Sequence, residues 1–178
     1  VNNLRQLTLE AHTRAERQSF AGKLVKGQLE PKRYYEYLLN QLACYQALEK
    51  KLEKWLKDHD LLKILRTEKI VEDIGWLEIE YSFDRNAVRL QPSTKAYIEY
   101  VDTKSAVELI PHLYVRHFGD MFGGAMIAKV SPGLCKYYEF ENKKELIDRV
   151  RSLLTDDMAA EANLCFDSAI DLFEELDK

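Results

Sequence analysis

Between Tyr34 and Trp55 the chain repeats one pattern: Tyr34, Leu38, Leu42, Tyr45, Leu48, Leu52 and Trp55 recur at intervals of three and four, the spacing of one helix face. Pro31 ahead of this stripe suits a first helical turn, so a long helix is predicted from Pro31 to about Asp58. Other segments carry the same period. Leu4, Leu7, Ala11 and Ala15 predict an amphipathic helix from Asn2 to about Phe20, with a break at Gly22. One or two short helices are expected between Leu61 and Asn86; Ile70 to Tyr81 also alternates like a strand, and helix is the favoured reading. After a turn at Phe83 to Arg89, helices are predicted over Ser93 to Val101 and Ser105 to Val130, the second closed by Ser131, Pro132 and Gly133. A last helical stretch runs from Lys143 to Leu176 and bends near Thr155. The expected fold class is all-α.

With 178 residues, 46% of them hydrophobic, the chain can bury one substantial core, and neither repeats nor a Gly/Ser/Pro linker divide it, so a single domain over 1–178 is expected. A net charge of -4 supplies no bulk field for nucleic acid. Cys44, Cys135 and Cys165 are odd in number and widely spaced, which argues against a disulfide framework or a zinc site and for a cytoplasmic protein. No apolar run reaches the roughly 18–20 residues of a membrane span, so no membrane partner is expected.

Against this background Gly119, Gly123 and Gly124 are anomalous, because each glycine inside a helix costs roughly 0.5–1 kcal/mol relative to alanine. Two uses justify such a cost: close packing of helix on helix, which the G-x-x-x-G spacing permits, or close approach of a flat ligand. Arg116 and Asp120, four apart, flank the glycines and give the segment a polar lining. On the first predicted helix, Arg5, Leu9, His12 and Glu16 fall on one face. Arg5 would lie roughly 10 Å along the axis from His12, which suits a flat ligand with an anionic edge and a central metal. Taken alone, His12 with Glu16 is an ordinary surface pair. Taken with the glycines it reads as an axial imidazole whose second nitrogen is held by a carboxylate. His112 and His117 do not form a di-iron set, since the Glu-x-x-His spacings on several helices are missing; His117 is expected to pack or face solvent.

The runs His12-Thr-Arg-Ala-Glu16 and Tyr114-Val-Arg-His-Phe-Gly119-Asp120-Met-Phe-Gly123-Gly124 resemble the proximal and distal helix motifs of haem oxygenases. The resemblance extends in family order through Phe20, Lys26-Gly-Gln, Tyr45-Gln-Ala-Leu-Glu49 and the closing Leu172-Phe-Glu-Glu-Leu176. It implies an all-α fold with haem sandwiched between a proximal helix and a kinked, glycine-rich distal helix. It implies haem b as cofactor and substrate, dioxygen as co-substrate, and reduced ferredoxin or a similar electron donor. The ring would open to biliverdin, with the IXα isomer favoured, together with carbon monoxide and ferrous iron. A monomer feeding a downstream bilin reductase is expected; a non-catalytic haem-storage protein on the same fold is the alternative. By the same resemblance His12 is the axial iron ligand and Glu16 its neighbour, and Gly119, Gly123 and Gly124 cover the haem. Asp120 anchors the distal water network with support from Tyr45 and Arg116. Arg5 and Tyr114 match positions at the propionates or haem edge, and Phe166 and Phe173 match pocket aromatics. Two departures stand out. The usual propionate-binding Lys and Arg pair has no clean equivalent, leaving Arg149 as the candidate and Arg151 as its alternative. Phe122 replaces a small polar or flexible residue, and either tightens the distal pocket or turns outward.

Overall fold

The computed structural model describes residues 3–178, and among these every regular element is a helix. The N-terminal segment forms α1 (Leu4–Leu7), α2 (Leu9–Glu16) and α3 (Ser19–Lys26) rather than one helix. The expected start at Asn2 lies outside the described residues. Thr8 makes the first interruption: its hydroxyl bonds back to the Leu4 carbonyl at 2.8 Å, a local bond that competes with regular helix. The expected break at Gly22 is displaced to Gly27, because Gly22 sits inside α3 with ordinary helical backbone whereas Gly27 takes the left-handed φ of 68° that closes a helix. A Cβ on Gly27 would stand 2.7 Å from Val130, so this turn also presses α3 onto the far end of the glycine helix.

The long stripe forms α4 (Pro31–Asp58) with Pro31 in its first turn. Its C-terminal half, through the fully buried Leu48, Leu52 and Leu56, joins one apolar cluster, and its N-terminal half, through Tyr34, Leu38 and Leu42, joins another. Burying a leucine of this kind contributes roughly 1.5–3 kcal/mol, so α4 is the axis on which both clusters are built. The ambiguous segment is helical, α5 (Thr67–Tyr81): Ile70, Ile74 and Leu77 are buried at intervals of four and three, while Ile79, which a strand would place beside Leu77, is 85% exposed.

The segment α6 (Pro92–Asp102) precedes α7 (Ala106–His112), which opens on a reciprocal Ser105 and Glu108 capping box. The predicted helix over Ser105 to Val130 is not continuous. Residues Leu113–His117 form a π-turn, and α8 (Phe118–Val130) follows it. Pro111, inside α7, has no N–H to give its own turn, and the winding widens two residues later. The irregularity of the distal segment therefore begins ahead of the glycines. After a short turn at Lys136–Tyr138, α9 (Lys143–Leu153) and α10 (Ala159–Leu176) complete the chain; the stretch expected to bend near Thr155 is interrupted there.

Candidate functional site

His12 projects from α2, half-buried, with its ring stacked on Phe166 of α10 at 5.3 Å and 16°. Its Nε2 stands 2.9 Å from Glu16 Oε1. A neutral imidazole that donates one N–H to Glu16 presents a lone pair on the other nitrogen, and the carboxylate strengthens that lone pair as a metal ligand. Arg5 lies on the separate turn α1, ahead of the break at Thr8, and is exposed to solvent.

The glycines of α8 divide into two kinds. A Cβ on Gly119 or Gly123 would meet no other group within 4 Å, whereas one on Gly124 would come within 2.8 Å of the Tyr138 ring. Gly124 thus serves helix packing, and Gly119 with Gly123 forms a bare backbone strip. On the same side, Phe122 and Met126 are 60% and 59% exposed, so Phe122 turns outward. Yet α8 is apolar nearly all round, and of its residues only Phe118, Met121 and Gly124 are buried by the protein. A helix of that composition is expected to be covered on more than one face. The uncovered face is apolar and lacks a Cβ at Gly119 and Gly123, which fits close approach of a planar hydrophobic ligand.

Asp120 lies beside this strip and accepts a hydrogen bond from the hydroxyl of buried Tyr45 on α4. Burial pushes its carboxyl up to about 7, against the opposing pull of hydrogen bonds from Tyr45 and Tyr137 and of the Arg66 and Arg116 guanidinium groups. Behind the pair stands a polar wall. Gln41 Nε2 donates to the Tyr37 and Tyr137 hydroxyls at 3.2 and 3.1 Å, and its carbonyl accepts from Arg116 Nη1 at 3.5 Å. Arg116 is buried with its guanidinium 4.1 Å above the Tyr97 ring, and its Nε has no hydrogen-bond partner. The Tyr114 hydroxyl stands 3.3 Å from that of Thr8, which joins the π-turn to the start of α2 and brings the proximal and distal segments together.

Gln41, Tyr97 and Tyr137 were not among the residues expected here. Their signal is faint: Tyr37, Gln41, Tyr45 and Glu49 repeat at four along α4, a polar and aromatic line beside the aliphatic stripe. His117, expected to pack or face solvent, is fully buried and sits 2.8 Å from Glu49 Oε2. Phe173 packs on Phe20 and Tyr37, at 5.7 and 6.3 Å, rather than beside the His12 ring. Arg149 is engaged elsewhere, donating to Asp60 Oδ2 and Glu145 Oε1, both at 2.6 Å. Arg151, two residues on and so on the opposite side of α9, places its guanidinium 5.6 Å above the Phe122 ring at the edge of the bare strip. Of the two arginines it is Arg151 that borders the site. Among the described residues there is no group of three or more His, Cys, Asp or Glu side chains suited to a metal ion, the three cysteines are free, and no helix is long and apolar enough to cross a membrane.

Comparison with known proteins places the chain by family and by fold. A family model described as "Heme oxygenase" matches residues 1–145. The heme oxygenase of Pyropia yezoensis is 27% identical over 99% of this chain and 85% of its own length. In fold, heme oxygenase-1 from the cyanobacterium Synechocystis, solved in complex with heme, superposes with a TM-score of 0.83 at 24% identity, covering 99% of this chain and 92% of that one. The heme oxygenase of Leptospira interrogans also gives 0.83, at 25% identity over 97% of each chain.

Proposed function

The chain belongs to the haem oxygenase family, and from that membership we propose that it binds haem b between α2 and α8 and opens the ring with dioxygen and electrons to biliverdin, carbon monoxide and ferrous iron. The observation that carries this reading is the uncovered apolar face of α8, bare at Gly119 and Gly123 and bordered by Asp120, in a protein whose His12 is paired with Glu16 on α2, the helix that Thr8 and Tyr114 tie to the π-turn ahead of α8. When bound, haem supplies both the iron that works on dioxygen and the ring that is opened.

The chain's own residues divide the remaining work. His12 would hold the haem iron, its ring oriented by Glu16 and by stacking on Phe166. Gly119 and Gly123 admit the macrocycle against backbone, and Phe122 and Met126 cover apolar surface beside it. Tyr114 closes the edge near Thr8, and Arg151 replaces Arg149 as the residue that meets a propionate. Asp120, with a carboxyl near 7, accepts and releases a proton at neutral pH, which is the property a distal proton relay requires. Tyr45 holds one carboxyl oxygen by its hydroxyl, and Arg116 with Gln41 keeps the surrounding wall polar. Exposed Lys50, Lys54 and Lys57 on α4 suit an acidic electron donor such as reduced ferredoxin. The proposal includes a monomeric, cytoplasmic, single-domain enzyme whose IXα product passes to a bilin reductase.

The test is turnover in a reconstituted system. Haem, dioxygen and a ferredoxin reducing system are supplied, and loss of the Soret band with growth of bilin absorbance is the expected result. A stable Soret band under these conditions overturns catalysis in favour of haem storage. The His12→Ala variant is expected to show an altered ferric Soret band and no turnover until imidazole is added; an unchanged spectrum rejects His12 as the ligand.

A further inference from the structure

The distal segment is joined to α4 at two levels. Asp120 accepts from the Tyr45 hydroxyl, and one turn away His117 Nε2 meets Glu49 Oε2 at 2.8 Å. The two links are cross-braced, because the His117 ring stands edge-on against the Tyr45 ring at 4.9 Å and 67°. Partners four apart on α4 thus match partners three apart on the distal segment, and His117 is the last residue of the π-turn that sets this register.

Glu49 is itself fixed. Besides His117 it accepts from the Arg66 N–H at 2.7 Å and from the Thr67 N–H and hydroxyl at 2.9 and 2.6 Å, all from the chain entering α5. Burial pushes the Glu49 carboxyl up, but the bonds from His117, Thr67 and Arg66 outweigh it and hold it below its ordinary value. Burial holds the His117 imidazole below its own, so a neutral ring donates Nε2–H to an ionised carboxylate. With His117 Nδ1 buried and without a hydrogen-bond partner, the ring's polar contact is concentrated on Glu49. Such a ring has one orientation, and Tyr45 packs against it.

We propose that His117, clamped by Glu49, is a positioning residue for the distal carboxyl, holding the Tyr45 ring where its hydroxyl reaches Asp120. The inference rests on the reading of Asp120 as the proton-handling group. The charged and titratable groups that bear on Asp120 are Tyr37 and Tyr45 from α4, Tyr137 from the Lys136–Tyr138 turn, Arg66 ahead of α5 and Arg116 from the π-turn. His117 acts on this set through Tyr45.

The test follows the Asp120 carboxyl by carbon-13 NMR across pH in the full chain, with and without haem, assigning the signal by its loss in Asp120→Asn. In His117→Leu the Tyr45 bond is slackened, so the Asp120 midpoint is expected to rise by about one pH unit, a tenfold change in proton affinity. The pH profile of kcat should move by the same amount, with KM for haem changed less than about twofold. His117→Gln, whose amide can still donate to Glu49, is expected to restore both. Should His117→Leu not fold, Glu49→Ala, which removes the acceptor of the His117 Nε2–H, takes its place with the same direction of shift. An unmoved Asp120 midpoint and kcat profile, with only the thermal midpoint lowered, assigns His117 to core packing and overturns the proposal. If the wild-type chain opens no ring, the proposed function fails while the Asp120 titration still decides this inference.

Discussion

Burial brings the Asp120 carboxyl into the neutral pH range. Its folded carboxyl sits near 7, above the unfolded value of about 3.9, so the stability tied to its neutral form is present below about pH 4 and is lost as pH rises through 7. Asp120→Asn has no such loss. Its thermal midpoint is expected to exceed the wild type's at pH 8, with the gap closing as pH falls toward 5, while haem still binds and bilin formation drops at least about 100-fold; a scan at several pH values with a parallel turnover assay checks both. At the rim, Arg151→Ala should weaken haem binding by about tenfold, the scale of one hydrogen bond to a charged group, and Arg149→Ala, whose partners are Asp60 and Glu145, by less than about twofold, both read by spectral titration. How these residues were legible differs. His12, Tyr45 and Asp120 stand in recognisable local runs. The link from His117 to Glu49 spans 68 positions, and no local pattern encodes a contact across that distance. Arg149 and Arg151 are indistinguishable by composition and are separated only by which side of α9 each one occupies.

At the scale of elements, helices whose apolar period runs unbroken were readable, as was the interruption near Thr155, whereas those at Thr8, Gly27 and the π-turn were not. Pro31 and the stripe behind it bound α4 at Pro31–Asp58 as predicted. Thr8 interrupts the first helix through one hydroxyl bond to Leu4, and a threonine at that position is equally compatible with continuing it. Gly22 and Gly27 look alike on paper; only Gly27 takes a left-handed φ. The π-turn adds a residue to the winding without changing the polarity pattern, so nothing in the spacing marks it. The same distinction gives a paired prediction for α8. Gly124→Ala drives a Cβ into Tyr138 and should destabilise the haem-free protein by about 1–3 kcal/mol. Gly123→Ala meets nothing in the haem-free protein and should stabilise it by about 0.5–1 kcal/mol, at the expense of haem affinity. Urea denaturation without haem, beside haem titration, separates the two effects.

At the scale of the molecule, two apolar clusters share α4, and the open face of α8 remains outside both. Haem at about 100 times its Kd should stabilise the fold by about 2.7 kcal/mol, raising the thermal midpoint by roughly 5–10 °C, which differential scanning with and without haem measures. A redox-inert metalloporphyrin should do the same, because the effect comes from covering surface. That exposed face has a consequence for the working life of the protein. On the proposed function, the molecule that covers this face is the molecule the protein destroys, so every catalytic cycle ends with the chain in its least protected form. Proteolytic survival in a cell should therefore track the supply of substrate, and an idle population should be degraded faster than a busy one.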